Sequence, residues 1–92
     1  MYFNKYNNNF NIIGNNLKRI RNKKNISQEQ LSNKLSLLGI TLYQSDIFKI
    51  EQNERTVRDF ELWGISQILE ISCDELFLFI TDLDDNKNLT YT

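Results

Sequence analysis

The sequence predicts an all-α fold, a single bundle of five short helices. The chain contains no proline and three glycines in 92 residues, so little in its composition would interrupt a helix. Ser27 is followed three positions later by Gln30, and Ser72 by Glu75, which is the capping-box pattern of a helix start. Leu and Ile recur at spacings of three and four behind these starts, and no run alternates apolar and polar residues as a strand would.

The first three helices are predicted from their boundary residues. Helix 1 covers about 15–24, and helix 2 begins at the first capping box and ends at Gly39, a natural C-terminal cap. Helix 3 covers about 43–52, and either Thr41 or Tyr43 starts it.

Two further helices follow the same logic. Thr56 and Asp59 repeat the capping pattern before helix 4, and the second capping box opens helix 5, which carries Leu76 and Phe77. The apolar stripes of helices 1 to 4 are Leu17 and Ile20, then Leu31, Leu35 and Leu38, then Ile47 and Ile50, then Leu62, Ile65 and Leu69.

The ends of the chain differ in composition from its middle. Residues 1–11 are rich in Asn, Tyr and Phe and predict a flexible N-terminal arm, unless the aromatic side chains dock on the body. Residues 12–80 form the helical domain, and residues 81–92 form a polar, acidic tail. We therefore expect one domain with two polar extensions.

The composition argues against several classes of protein. There is no histidine and a single cysteine, Cys73, so the chain lacks an internal disulfide, a Cys–His metal site and the usual general base. We expect no enzyme, no metal and no cofactor. No apolar run approaches the roughly 18 residues that span a bilayer, and no signal-peptide core is present, which predicts a soluble cytoplasmic protein.

The charge is divided between the two parts of the chain. Residues 1–58 carry ten Lys/Arg and four Asp/Glu, a net charge of +6, and residues 59–92 carry one Lys and eight Asp/Glu, a net charge of −7. This asymmetry favours one part that faces a polyanion; the alternative is that the charges only solvate the surface.

Helix 2, a turn and helix 3 have the layout of a helix-turn-helix reader of DNA. A helix fits the major groove and its first turns reach the base edges, while the preceding helix crosses the phosphate backbone. The segments IGNNLKRIRNKKNISQEQLSNKL, SDIFKIEQNER and ELWGISQILEISCDELF resemble the Cro/lambda-repressor-like (XRE-type) helix-turn-helix DNA-binding domain family over roughly residues 13–77. The resemblance implies a five-helix Cro/lambda-repressor-like bundle that binds double-stranded DNA.

The resemblance also implies roles for individual residues in base reading. Gln44 takes the position of the leading base reader, where a glutamine can hold adenine through N6 and N7, and Ser45 takes the next reading position. Phe48 falls where a ring can meet a thymine methyl group, and Lys49 where an ammonium group can reach phosphate or guanine.

Phosphate contact and architecture are implied at other positions. Gln28 opens helix 2 and is expected on a phosphate, and Arg55 and Arg58 follow helix 3 where they suit phosphate contact. Arg21 and Glu51 match a partly buried ion pair that ties helix 1 to helix 3.

Three features leave alternatives open. The stretch from Leu35 to Ser45 is about four residues longer than in compact members of the family, so either helix 2 is extended or the turn is a loop. Asp46 near the groove face would either repel phosphate or accept a hydrogen bond from cytosine N4. Phe48 belongs either to the core or to the contact surface.

The sequence thus predicts a sequence-specific DNA-binding transcriptional regulator, a repressor of the phage or mobile-element type. The apolar run in helix 5 includes Phe77, Phe79 and Ile80 and favours a homodimer on two half-sites. The alternative is a protein-interaction module, an antitoxin or adaptor, that uses helix 5 and the acidic half.

Overall fold

The regular elements of the described part of the chain are all helices. The computed structural model describes residues 5–78, in which an isolated bridge between Tyr6 and Asn9 is the sole β-type pairing. The elements are α1 (Gly14–Lys23), α2 (Gln28–Ser36), α3 (Gln44–Glu51), α4 (Asp59–Leu69) and a 3₁₀ helix (Cys73–Phe77). The predicted all-α class is confirmed. No helix within residues 5–78 is long and apolar enough to cross a membrane.

The predicted count of five α-helices is wrong for the described residues, because the fifth segment forms a five-residue 3₁₀ helix. Its start is as predicted, since the Ser72 backbone N–H donates to Glu75 Oε2 at 3.0 Å. The other end is different: Leu78 is extended, and the side-chain amide of Asn16 donates to the carbonyls of Leu76, at 3.0 Å, and Leu78. The bond to the Leu76 carbonyl takes an acceptor that a continuing α-helix would use.

The core lies where the four α-helices meet. Its fully or nearly fully buried apolar residues are Ile13, Leu17, Ile20, Leu31, Leu35, Ile40, Leu42, Ile47, Ile50, Ile65, Leu69 and Leu76. Of the predicted apolar stripes, Leu62 is only half-buried and Leu38 is 41% exposed. Helix α4 approaches α2 closely at Gly64, where a Cβ would lie 3.0 Å from Leu35 Cδ2.

The connection between α2 and α3 is a loop and not an extension of helix 2. Gly39 has a φ of 81°, its N–H donates to Ser36 O at 3.0 Å, and the Ile40 N–H donates to Leu35 O at 3.1 Å. These paired bonds form a Schellman cap, which ends the helix and turns Leu38 outward. Two residues of this loop, Ile40 and Leu42, are buried, so the loop packs against the core.

The arm is attached to the body at residues 10 and 11. The Phe10 N–H donates to Asn53 O at 3.0 Å. The Asn11 side-chain amide donates to Ile50 O at 3.0 Å and to Arg55 O at 2.8 Å, while its carbonyl oxygen accepts from the N–H groups of Ile13 and Gly14. Residues 1–4 and 79–92 lie outside the described residues, and with them Phe79, Ile80 and the acidic tail.

The N-terminus of α1 abuts the C-terminal end of α3. A Cβ at Gly14 would lie 2.5 Å from Ile50 O and 2.8 Å from Glu51 O, and closer still to Asn53 Oδ1. Only glycine permits this approach, and it brings the positive end of one helix dipole to the negative end of the other. Helix α3 is therefore fixed by packing at its C-terminal end.

Candidate nucleic-acid interface

Helix α3 has one buried face and one exposed face. Ile47, Ile50 and Glu51 are buried. The exposed face, which we call the outward stripe, consists of Gln44, Ser45, Phe48 and Lys49, with Gln52 continuing it at the C-cap. The period of 3.6 residues per turn places these positions together on the side away from the core.

Phe48 belongs to the surface and not to the core. Its side chain is 50% exposed in the middle of the outward stripe, and Tyr43, at the N-cap of α3, is 67% exposed. The core alternative for Phe48 is therefore wrong. Single exposed aromatic residues are common on proteins, and the observation that matters is that Phe48 shares its face with polar and basic side chains.

Asp46 is directed back onto the start of its own helix. Its Oδ2 accepts from the Tyr43 N–H at 2.9 Å, which satisfies one of the free amides of the first turn. Its Oδ1 lies 3.7 Å from Arg55 Nε, and its side chain is 29% exposed. A carboxylate at this point is also stabilised by the positive end of the helix dipole.

Arg55 is held by carboxylates of the chain itself. Its Nη1 donates to Glu61 Oε1 at 2.9 Å and to Thr56 O at 2.9 Å, and its Nη2 donates to Glu61 Oε2 at 3.2 Å. The guanidinium and the carboxylate thus form a two-pronged pair, with the Glu61 side chain 4% exposed. Arg55 was expected on a phosphate, and in the structure its nitrogens are directed to partners inside the protein.

The pairing shifts both pKa values away from neutrality. The hydrogen bond to Glu61 is the main cause that holds the pKa of Arg55 above its ordinary value. Burial acts to raise the pKa of Glu61, but the hydrogen bonds from the Arg55 side chain and the Arg58 backbone outweigh burial and hold the pKa below its ordinary value. Both groups are charged at neutral pH.

A second buried network joins the first three helices. Arg21 Nε lies 2.7 Å from Glu51 Oε2 and Arg21 Nη2 lies 3.0 Å from Glu51 Oε1, so the two residues paired by the family resemblance do contact each other. Arg21 Nη1 also donates to Ile26 O at 2.8 Å. Gln28 Nε2 donates to Glu51 Oε1 at 2.9 Å, so the side chain expected on a phosphate is bound inside the protein.

Two of the predicted contact residues are exposed cations. Lys49 is exposed within the outward stripe, and Arg58, the N-cap of α4, is exposed while its backbone N–H donates to Glu61 Oε1 at 2.9 Å. Other basic residues lie in α1 and at its C-cap: Arg19, Lys23 and Lys24 line a cleft that also contains the carboxylates Glu70 and Glu75. Part of the positive charge of the N-terminal half therefore faces the acidic half of the same chain.

Sequence reasoning missed Gln52 and Glu61. Gln52 continues the spacing of Gln44 and Phe48, and this periodicity was a usable signal. Glu61 carried no signal beyond its place in the first turn of α4, because its partner, Arg55, is brought to it by the turn between the two helices.

Other chemistry is sparse in the described residues. Within residues 5–78 no three His, Cys, Asp or Glu side chains are grouped as a metal site would require. Cys73 is half-buried with its Sγ 3.5 Å from Ser66 Oγ.

In comparisons with known proteins, the chain matches no family model, and no curated protein is similar enough to count as a relative.

Proposed function

We propose that the protein is a sequence-specific DNA-binding regulator of the Cro/lambda-repressor-like type, and that α3 enters the major groove. The observation that carries the proposal is the outward stripe of α3. Its four residues lie on two consecutive turns, are polar, aromatic or basic, and are exposed. A helix with its side chains is about 10–12 Å in diameter, which fits a major groove about 12 Å wide.

Each side chain of the outward stripe has a chemical role on a base pair. Gln44, in the first turn, holds adenine by accepting from N6 and donating to N7, and Ser45 contacts the neighbouring base. Phe48 lies one turn further along the helix and packs on a thymine methyl group. Lys49 reaches a phosphate or the O6 and N7 atoms of guanine.

Fewer phosphate contacts remain than the sequence suggested. Gln28 and Arg55 are bound within the protein, which leaves Lys49 and Arg58 as side-chain cations for the backbone, together with the free amides at the start of α2. Few contacts per domain give weak binding, so the proposal includes a homodimer that engages two half-sites one DNA turn apart. Repression would follow from occlusion of polymerase at a phage- or mobile-element-type operator.

The proposal is tested by fluorescence anisotropy on DNA from upstream of the coding sequence and on random DNA of the same length. The full chain is compared with Gln44→Ala and with Gln67→Ala, a substitution at an exposed position of α4 outside the outward stripe. We expect Gln44→Ala to lose about 1–3 kcal/mol of preference at one adenine while Gln67→Ala behaves as the parent protein. Equal binding to both DNAs at low salt would contradict the proposal.

A second candidate, a protein-interaction module, is favoured by one observation. Phe77 and Leu78, at the end of the 3₁₀ helix, are 38% and 45% exposed, and Phe60 and Trp63 of α4 are 49% and 50% exposed. Large apolar side chains at adjacent exposed positions are typical of interfaces. A stable complex with another protein that is lost in Phe77→Ser, combined with no DNA preference, would support this candidate over the first.

A further inference from the structure

Three charged side chains connect the start of α4 with the start of α3. They are Asp46 of α3, Arg55 of the α3–α4 turn and Glu61 of α4, and we call them the Arg55 bridge. Arg55 Nη1 and Nη2 bind the two oxygens of Glu61 at 2.9 and 3.2 Å, and Arg55 Nε faces Asp46 Oδ1 at 3.7 Å. All three side chains are mostly buried, with exposures of 29%, 25% and 4%.

The Arg55 bridge is not built to attract phosphate. Its two carboxylates and one guanidinium sum to one negative charge, and the guanidinium nitrogens point to carboxylate and carbonyl oxygens of the chain. To reach a phosphate, Arg55 would have to abandon the two-pronged pair with a Glu61 side chain that is nearly inaccessible to water, and this would leave a buried carboxylate unpaired.

The Arg55 bridge does reach the start of the candidate reading helix. The second oxygen of Asp46 accepts from the Tyr43 N–H at 2.9 Å, and Tyr43 directly precedes Gln44. The Arg55 backbone is itself held, because Asn11 donates to its carbonyl at 2.8 Å. The contacts therefore run from α4 through hydrogen bonds to Arg55, then through the 3.7 Å ion pair to Asp46, and then through a hydrogen bond to the residue before Gln44.

We propose that Arg55 is a positioning residue for base reading: through Asp46 it holds the first turn of α3 so that Gln44 is presented at a fixed angle, and it does not touch DNA. The inference rests on the proposed function of α3. It assigns to Arg55 a role in specificity and removes it from the set of phosphate contacts.

The first arm of the test needs no DNA. Amide hydrogen exchange is followed at Tyr43, whose N–H is bonded to Asp46, and at Gln52, whose N–H donates to Phe48 O at the other end of α3. In Arg55→Met we expect exchange at Tyr43 to rise several-fold more than at Gln52, because only the start of the helix loses its support. An equal rise in the exchange rates of the two amides would overturn the inference, since it would show that the whole fold is destabilised.

The second arm separates positioning from phosphate contact. A phosphate contact by one cation contributes about 0.9 to the slope of log K against log salt and acts equally on all sequences. In Arg55→Met we expect that slope to stay unchanged and the preference for adenine at the base read by Gln44 to fall at least about fivefold. A slope reduced by about 0.9 with unchanged base preference would overturn the inference.

Arg58→Met is the matched control, since the same substitution is made three residues away at an exposed arginine. We expect it to lower the salt slope by about 0.9 and to leave the base preference intact. If Arg55→Met does not fold, Asp46→Asn replaces it, because the amide oxygen still accepts from Tyr43 while the charge that attracts Arg55 is gone. It should shift base preference in the same direction, and an unchanged preference in this folded variant overturns the inference. A parent protein without base preference would refute the proposed function, and the exchange arm would still decide whether Arg55 holds the start of α3.

Discussion

Gln28 Nε2 donates a hydrogen bond to Glu51 Oε1 at 2.9 Å, so the first residue of α2 is bound to the last residue of α3. Glu51 is already paired with Arg21 through both of its oxygens. Helices α2 and α3 are therefore joined not only by packing but also by a shared buried carboxylate.

Gln28→Ala is expected to destabilise the fold by about 1 kcal/mol, because a hydrogen bond to a buried carboxylate is lost while the ion pair with Arg21 remains. The free energy of unfolding in urea measures the effect. Gln67→Ala is the control, since its side chain is exposed on α4, and should change that free energy by less than about 0.5 kcal/mol. Equal small effects at both positions would show that the bond contributes nothing to stability.

Arg21→Met is expected to be far more damaging, with a loss of about 3–5 kcal/mol, because the buried Glu51 carboxylate would lose its ion-pair partner and be left with only Gln28. In the double variant Arg21→Met with Glu51→Met the unpaired charge is gone, and we expect a smaller loss than in the single variant. Urea unfolding of both variants is the measurement. A double variant less stable than Arg21→Met would contradict this account.

Gly14→Ala is expected to destabilise the protein by about 1–3 kcal/mol, although alanine is normally the better helix former. The added methyl group would meet the carbonyls of Ile50 and Glu51 at 2.5 and 2.8 Å, and these belong to the backbone and cannot rotate away. Asn15→Ala, at the next and exposed position of α1, should be neutral or stabilising. Thermal unfolding of the two variants compares the effects directly.

The lowered pKa of Glu61 predicts that the stability of the fold depends on pH. Its pKa in the folded state lies below the ordinary value of 4.5, so the folded state binds the proton more weakly than the unfolded state does. The stabilisation is therefore fully present above about pH 4.5 and is lost as the pH falls through the lower pKa of the folded state.

The test compares the parent protein with Glu61→Gln, which keeps an acceptor for the Arg58 N–H but has no charge for Arg55. We expect the parent protein to be more stable at neutral pH and the difference to shrink as the pH is lowered below 4.5. Urea midpoints over that range measure it. If the difference in stability between the two proteins is constant with pH, the ionised carboxylate of Glu61 does not stabilise the fold more than the protonated one.

Helix starts at a serine cap were the most predictable part of the fold, because their signals are local. The Ser27 and Gln30 pair forms a reciprocal capping box at the predicted place, and Tyr43 proves to be the N-cap of α3. The predicted capping pair of helix 4, Thr56 and Asp59, is wrong, since Arg58 is the N-cap of α4 and Glu61 is its third residue. Local rules failed where tertiary contact decides. Glu70 ends α4 in the left-handed region with a φ of 57°, although neither glycine nor asparagine marks the position.

In the candidate site, too, the features set by local sequence were predictable and those set by tertiary contacts were not. The exposed face of α3 follows from helical spacing alone, and the structure leaves that face free of the core. The engagement of Gln28 and Arg55 was missed, because Gln28 binds a residue 23 positions away and Arg55 binds across a turn. The sequence alone does not distinguish a polar side chain that binds a phosphate from one that binds a buried carboxylate of the same chain.

Helix α3 is held in place by residues that do not belong to its outward stripe. Gly14 and Asn11 secure its C-terminal end, Asp46 secures its start, and Ile47 and Ile50 supply its share of the core. The four exposed side chains can therefore be exchanged at little cost to folding, since exposed substitutions usually change stability by about 0.5 kcal/mol or less. Under the proposed function, base recognition and folding would depend on separate residues of the same eight-residue helix, and new base preferences could arise, by evolution or by design, without a change in the buried residues.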